Sequence, residues 1–169
     1  MTQVPYATFL FRKDGNFVEV TTDELFKGKR VVLFSLPGAF TPTCSTFQLP
    51  GFELDYQKFK DHGIDEIYCV SVNDAFVMNA WAKDQNIQNV KMIPDGNGDF
   101  THGMGMLVEK FNLGFAMRSW HYAAVIDNGN IEWIVEEPGR TDNCPEDPYF
   151  ATTPERVFEY VSSNVVALA

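Results

Sequence analysis

The chain has 169 residues, 45% of them hydrophobic and 14% aromatic, enough to bury a sizeable core in a single domain spanning residues 1–169. Thirteen basic against twenty-three acidic residues leave a net charge of −10, which repels nucleic acid and anionic membrane, so neither is expected as a partner. No apolar run approaches the ~20 residues of a membrane span. The N-terminal segment lacks a secretory pattern, and three sparse cysteines form no disulfide framework, so a cytoplasmic, reducing setting is expected.

Ala7 to Arg12 and Phe17 to Thr21 alternate in polarity around the turn signal Lys13-Asp14-Gly15-Asn16, which predicts an N-terminal β-hairpin. Val31 to Leu36 is a short apolar run ended by Pro37-Gly38 and reads as a buried central strand. A helix is expected from about Thr43 to His62, with Phe52, Tyr56 and Phe59 on one face. Gly63 is its stop, and Pro50-Gly51 predicts a kink inside it. Ile67 to Val72 is the next strand, and Asp74 is placed to cap a helix carrying Phe76, Val77, Ala80 and Trp81. Lys91 to Ile93 is a short strand ending at Pro94-Asp95-Gly96, and Phe100 to Phe111 is expected to be helical, weakened by Gly103 and Gly105. Tyr122 to Ile126 and Ile131 to Glu136 flank Asn128-Gly129, the strongest hairpin signal in the chain. A polar loop runs from Glu137 to Thr153, and Thr153-Pro154 opens a last helix with Val157, Val161 and Val165 on one stripe. This order predicts an α/β fold, a central mixed sheet flanked by helices.

Pro37-Gly38-Ala39-Phe40-Thr41-Pro42-Thr43-Cys44-Ser45 lies between the carboxyl end of the central strand and a helix start. In open α/β sheets, ligands bind in that crevice. A cysteine in a first helical turn faces unpaired N–H groups and the positive end of the dipole, which favour thiolate over thiol. A free thiol titrates near ~8.5, and such surroundings lower it. A lone cysteine is more often a small buried hydrophobe, but the proline- and threonine-containing loop argues against mere filler. No second cysteine stands two or three residues away, which excludes a Cys-x-x-Cys motif. His62, His102 and His121 are scattered without metal-ligand spacing, and Asp95 to Asp99 lacks the later glutamate of a calcium loop. Gly103-Met104-Gly105 is no dinucleotide fingerprint, so neither metal nor cofactor is expected.

Pro37-x-x-x-Thr41-x-x-Cys44 resembles the active-site pattern of the peroxiredoxins. The string Pro37 to Ser45, Leu49-Pro50-Gly51-Phe52, Cys69 to Phe76 and Gly114 to Ser119 are similar to the type-5 (type II) branch, over nearly the whole chain. The resemblance implies a thioredoxin-like fold, reduction of hydrogen peroxide and alkyl hydroperoxides, and a homodimer. It also implies that the Cys44 thiolate attacks peroxide and becomes a sulfenic acid. Thr41 would orient peroxide and thiolate. Arg118 would lower the thiol pKa and stabilise charge on the leaving oxygen. Pro37 would shield the sulfur from water. A family position that is often basic carries His121 here.

For the return to thiol, Cys69 reads as a buried, inert strand residue, and Cys144 lies in the polar loop Asp142-Asn143-Cys144-Pro145-Glu146. The expected route is reduction by glutathione or glutaredoxin. The alternatives are an intramolecular disulfide through Cys144 or Cys69 recycled by thioredoxin, a peroxide sensor that passes oxidation to a partner, and a chaperone-like assembly.

Overall fold

The computed structural model describes the backbone of residues 2–168 and the side chains of residues 2–163. The expected hairpin is present as β1 (Thr8–Lys13) and β2 (Asn16–Thr21), turned by Asp14 and Gly15 at φ of 50° and 77°. Two left-handed residues are what a tight hairpin needs to match the twist of its strands. A short helix absent from the sequence reading, α1 (Thr22–Phe26), follows, with the Thr21 hydroxyl accepting from the Glu24 amide as its cap. β3 (Arg30–Ser35) is the central strand, and Val31 to Ser35 are fully buried.

The single helix expected from Thr43 to His62 is broken. It consists of a π-type turn over Cys44–Gln48, then α2 (Leu49–Leu54) and α3 (Tyr56–Lys60). Pro50 lies in the first turn of α2, where its missing N–H is no loss, so it starts that helix rather than kinking a longer one. The break between α2 and α3 falls at Asp55, with φ −90° and ψ 4°. Phe52 and Phe59 still share a buried face, and Gly63 ends the segment at φ 88°.

β4 (Glu66–Ser71) precedes α4 (Ala75–Asp84), whose cap is the Asp74 carboxylate accepting from the Val77 amide at 2.9 Å. The buried side of α4 is Ala75, Met78 and Trp81; Phe76 is turned outward against Phe17. β5 (Lys91–Pro94) follows as expected. Only α5 (Asp99–Gly103) is helical in the segment expected to be a helix as far as Phe111. Gly105, at φ 73°, turns the chain into β6 (Leu107–Glu109), which pairs antiparallel with β7 (Met117–Ser119). A β ladder thus replaces the second half of that helix. β8 (Tyr122–Asp127) and β9 (Asn130–Glu136) form the expected hairpin, and α6 (Pro154–Leu168) closes the chain. Val157 and Val161 are buried against the sheet; the Val165 side chain lies outside the described residues.

The main sheet has the order β5-β4-β3-β8-β9, with β4 parallel to both β3 and β5, and with β3/β8 and β8/β9 antiparallel. This is the expected mixed sheet of a thioredoxin-like architecture. Successive residues of β3 serve opposite faces, as the strand period demands. Val32 and Phe34 join Phe52, Phe59, Trp81, Val157 and Val161 under the longer helices. Val31 and Leu33 join Phe9, Phe26, Phe100 and Trp120 under the N-terminal hairpin and the short helices. Cys44 belongs to the first of these clusters, so the turn that carries it is set by core packing.

The Phe34 and Phe52 rings stack with centroids 4.1 Å apart at 11°. Phe52→Ala is expected to cost about 3–5 kcal/mol, because it removes a fully buried ring beneath the Cys44 turn. Urea unfolding should show a lower midpoint at unchanged slope; a loss under about 1 kcal/mol would mean that the site closes over the gap.

Candidate active site

The loop that leaves β3 is shaped by a close approach. Arg118, on β7, donates from Nη1 to the Pro37 carbonyl at 3.0 Å and from Nε to the Phe115 carbonyl at 3.1 Å. A Cβ at Gly38 would lie 2.6 Å from that Nη1 and 3.2 Å from the Thr41 methyl, so glycine is what lets the guanidinium lie across the loop. Phe40 is held at φ 65°, a conformation that costs a side-chain-bearing residue about 1–3 kcal/mol. That bend turns Thr41 back, and its hydroxyl donates to the Gly38 carbonyl at 2.6 Å. The loop is pinned to the sheet where the Ala39 amide donates to Asn73 Oδ1 at 3.0 Å. Further along, Trp81 Nε1 donates to Ser45 Oγ at 2.9 Å and Gln48 Nε2 to the Ser35 carbonyl at 3.3 Å, fixing the turn that begins at Cys44.

Cys44 is fully buried. Burial pushes its thiol up to about 11, while the Thr41 side chain and the backbone at Gly38 and at Cys44 itself pull toward the thiolate, and the Asp147 carboxylate adds to the upward push. This departs from the expectation of a lowered pKa. The sulfur begins a five-residue π-type turn rather than a regular helix, and it is dry. The Arg118 guanidinium donates to two backbone carbonyls and is not among the groups that favour the thiolate here. Arg118 is half-buried, and burial lowers its pKa; among the described residues it has no carboxylate partner, so its charge is uncompensated beside the loop.

A cavity of about 380 Å³ opens over this loop, lined among others by Pro37, Thr41, Thr43, Lys110, Cys144 and Asp147. The structure thus brings Pro37, Thr41, Cys44, Arg118 and Cys144 to one end of the sheet. Cys144 is half-buried at the cavity wall. Cys69, opposite Phe34 on β4, is fully buried in the same core cluster as Cys44, and burial, then the charge of Cys44, keeps its thiol protonated. No group of three or more potential metal ligands is present among the described residues.

The sequence reading singled out His121 but missed its partner. His121, fully buried between β7 and β8, meets Asp147 Oδ1 through Nε2 at 2.7 Å. Burial works to raise the Asp147 carboxyl, but the hydrogen bond and charge of His121, the Thr43 hydroxyl and Lys110 hold it below the usual range. Tyr149 was also missed; its buried hydroxyl has no partner among the described residues, and its pKa is raised by burial, then by Glu155, Glu137 and Cys44. A separation of 26 residues, ending in an irregular loop, leaves no periodicity from which the His121–Asp147 contact could be read.

Glu137 anchors the far end of that loop. Its buried carboxylate accepts from the amides of Phe150, Ala151 and Thr152 and from the Thr152 hydroxyl at 2.7–3.0 Å. Glu137→Ala should orphan these donors, cost about 1–3 kcal/mol and expose the 138–150 segment to proteases. Urea unfolding and limited proteolysis check this; an unchanged midpoint with an intact loop would contradict it.

A profile of the Redoxin family matches residues 2–151. The peroxiredoxin of Rhizobium etli is 58% identical over 166 residues, covering 93% of this chain and 93% of that relative. Hybrid peroxiredoxin hyPrx5 of Haemophilus influenzae is 49% identical over 160 residues, covering 95% of this chain but 65% of that longer relative. Among solved structures, the Plasmodium falciparum antioxidant protein (1-Cys peroxiredoxin) superposes with a TM-score of 0.92 at 37% identity, over 96% of this chain and 99% of that one. The chain therefore belongs to the Redoxin family and is a peroxiredoxin, a peroxidase that works through a cysteine.

Proposed function

We propose that this peroxidase uses Cys44 as its nucleophile toward hydrogen peroxide and alkyl hydroperoxides, that Cys144 resolves the oxidised sulfur, and that a thioredoxin-type dithiol protein returns the enzyme to its reduced form. The observation that carries the reading is the shared cavity: Cys144 lines the same space as Pro37, Thr41 and Thr43, next to Cys44 in the chain. At about 380 Å³ that space exceeds the needs of hydrogen peroxide and favours a range of organic hydroperoxides as well.

The chemistry follows from the residues. When peroxide and water enter, the desolvation that keeps Cys44 protonated is relieved, and the hydrogen bonds of Thr41 and the local backbone favour the thiolate. The sulfur attacks one peroxide oxygen, the O–O bond breaks, and the second oxygen leaves as hydroxide or alkoxide and takes a proton. Arg118, the uncompensated cation of the site, stabilises that leaving charge, and Thr41, once released from the Gly38 carbonyl, orients the peroxide. Pro37 limits water at the sulfur. The Cys144 thiolate then attacks the sulfenic acid, a disulfide forms and water leaves. The two Cα atoms must come within ~7 Å, and the second thiol must reach a fully buried sulfur, a change that relaxation of the Cys44–Gln48 turn would supply. A π-type turn is suited to this, since such turns are rare and confined to short pieces.

The glutathione or glutaredoxin route is the second reading. It is favoured by the complete burial of Cys69, which leaves that residue a poor resolver, and by a similar protein described as a 1-Cys peroxiredoxin. Exposed Phe40 and Leu113 beside the cavity support the homodimer that the resemblance implies. No helix among the described residues is long and apolar enough to cross a membrane, and a net charge of −10 disfavours nucleic acid as a partner.

Cys44→Ser is expected to abolish peroxide consumption in a folded protein, and Arg118→Met to slow the peroxide step by about a hundredfold or more. Cys144→Ser should consume one equivalent of peroxide and then stop with thioredoxin as sole reductant. Stopped-flow decay and coupled NADPH consumption measure these. Continued cycling of Cys144→Ser with thioredoxin would remove Cys144 from the mechanism, and cycling of the Cys69→Ser/Cys144→Ser double variant with glutathione alone would favour the second reading.

A further inference from the structure

We infer that Asp147 is a positioning residue: it latches the Cys144 loop onto the Cys44 turn, and its charge couples opening of that latch to activation of the sulfur. The inference rests on the reading of Cys44 as the nucleophile. Asp147 sits on an irregular loop with its side chain 43% exposed, yet its carboxylate is firmly held. His121, fully buried at the end of the sheet, grips Oδ1 at 2.7 Å. Thr43, one residue before Cys44, lines the same cavity wall, and its hydroxyl favours the charged form of that carboxylate. One side chain therefore ties the loop of the resolving cysteine to the end of the sheet, on the cavity wall that also carries Thr43 at the start of the nucleophile's turn.

The Cys44 sulfur is fully buried, so if Cys144 resolves it, the thiol has to gain access to it past the contacts of Asp147, and the latch opens in each cycle. The charges around it make opening more than mechanical. Asp147 faces His121 and Lys110, with Glu146 beside it at the cavity wall. Cys44 faces Asp147 and Tyr149 from the loop and Cys69 from β4, with Arg118 reaching in from β7 across Gly38. With the loop in place, burial first, and then the field of the Asp147 carboxylate, disfavour a thiolate at Cys44. When the loop lifts, carboxylate and burial leave together. The closed packing is also incompletely satisfied: His121 Nδ1 and the Tyr149 hydroxyl are buried without partners among the described residues. Those two groups gain water when the loop lifts, which keeps the closed and open arrangements close in free energy.

Ultraviolet thiolate titration of Cys44, taken as the difference from Cys44→Ser, tests this whichever thiol resolves the sulfur. Asp147→Asn should lower the Cys44 midpoint by at least half a unit, about a threefold change in its acid constant. Asp147→Glu, which keeps the charge, should leave it within about 0.2 units of the wild type. His121→Ala, which loosens the latch from the other side, should speed formation of the Cys44–Cys144 disulfide in a single turnover. A midpoint unmoved in Asp147→Asn, or moved equally in Asp147→Glu, would reduce Asp147 to a structural contact and overturn the inference. Peroxide consumption by Cys44→Ser would instead sink the nucleophile assignment, while the titration would still report whether the carboxylate acts on the sulfur.

Discussion

On the proposed mechanism the site depends on one constraint: a sulfur that has to become an anion is buried in the hydrophobic core at the end of a central strand. Burial first, and then the Asp147 carboxylate, hold Cys44 in the thiol form, and the groups that oppose them, the Thr41 side chain and nearby backbone, are themselves engaged in shaping the loop. Reactivity therefore needs a change of state, with water or peroxide entering and the turn relaxing. The architecture allows this because the turn is a single π-type piece between a rigid strand and two short helices. A regular helix in its place would hold the sulfur more firmly and would yield less readily to a second thiol.

Arg118 illustrates how the rest of the fold serves that constraint. Its charge is carried by β7, within a hairpin that replaces half of an expected helix, and it reaches the loop because Gly38 has no side chain. It donates to two backbone carbonyls and, among the described residues, leaves its charge unpaired with any carboxylate. Such a group is worth most where charge develops during the reaction, rather than on the resting thiol. The same hairpin contributes Lys110, and the strand after it begins beside His121, so the β6–β7 unit supplies the positive charge around the cavity.

Much of this was legible in the sequence where local rules decide the outcome. Alternation and Asp-Gly or Asn-Gly turns placed the two hairpins, the apolar run placed β3, and the Asp74 cap placed α4, because each is fixed by residues a few positions apart. The segment from Thr43 to His62 read as one helix because its apolar spacing is helical throughout; tertiary anchoring of Ser45 by Trp81 and of Gln48 by the Ser35 carbonyl reshapes its start. The segment after Gly103 misled for a related reason: pairing with β7, a partner about ten residues on, overrides its own propensity. At the site, Pro37, Thr41, Cys44 and Arg118 were singled out by the resemblance to the peroxiredoxin pattern, and the fold gathers them at one end of the sheet. Asp147, Tyr149 and Glu137 were not, since an irregular loop has no period and its contacts become visible only when the chain has folded back on itself.

The central claim, that Cys44 is oxidised first and is then joined to Cys144, is tested most directly by peptide-mapping mass spectrometry of the reduced protein after one equivalent of hydrogen peroxide. The account predicts a disulfide-linked pair of peptides containing Cys44 and Cys144, with Cys69 recovered as a free thiol. Recovery of a Cys44–Cys69 disulfide, of a persistent Cys44 sulfenic acid with Cys144 still reduced, or of oxidation at Cys144 alone would contradict it.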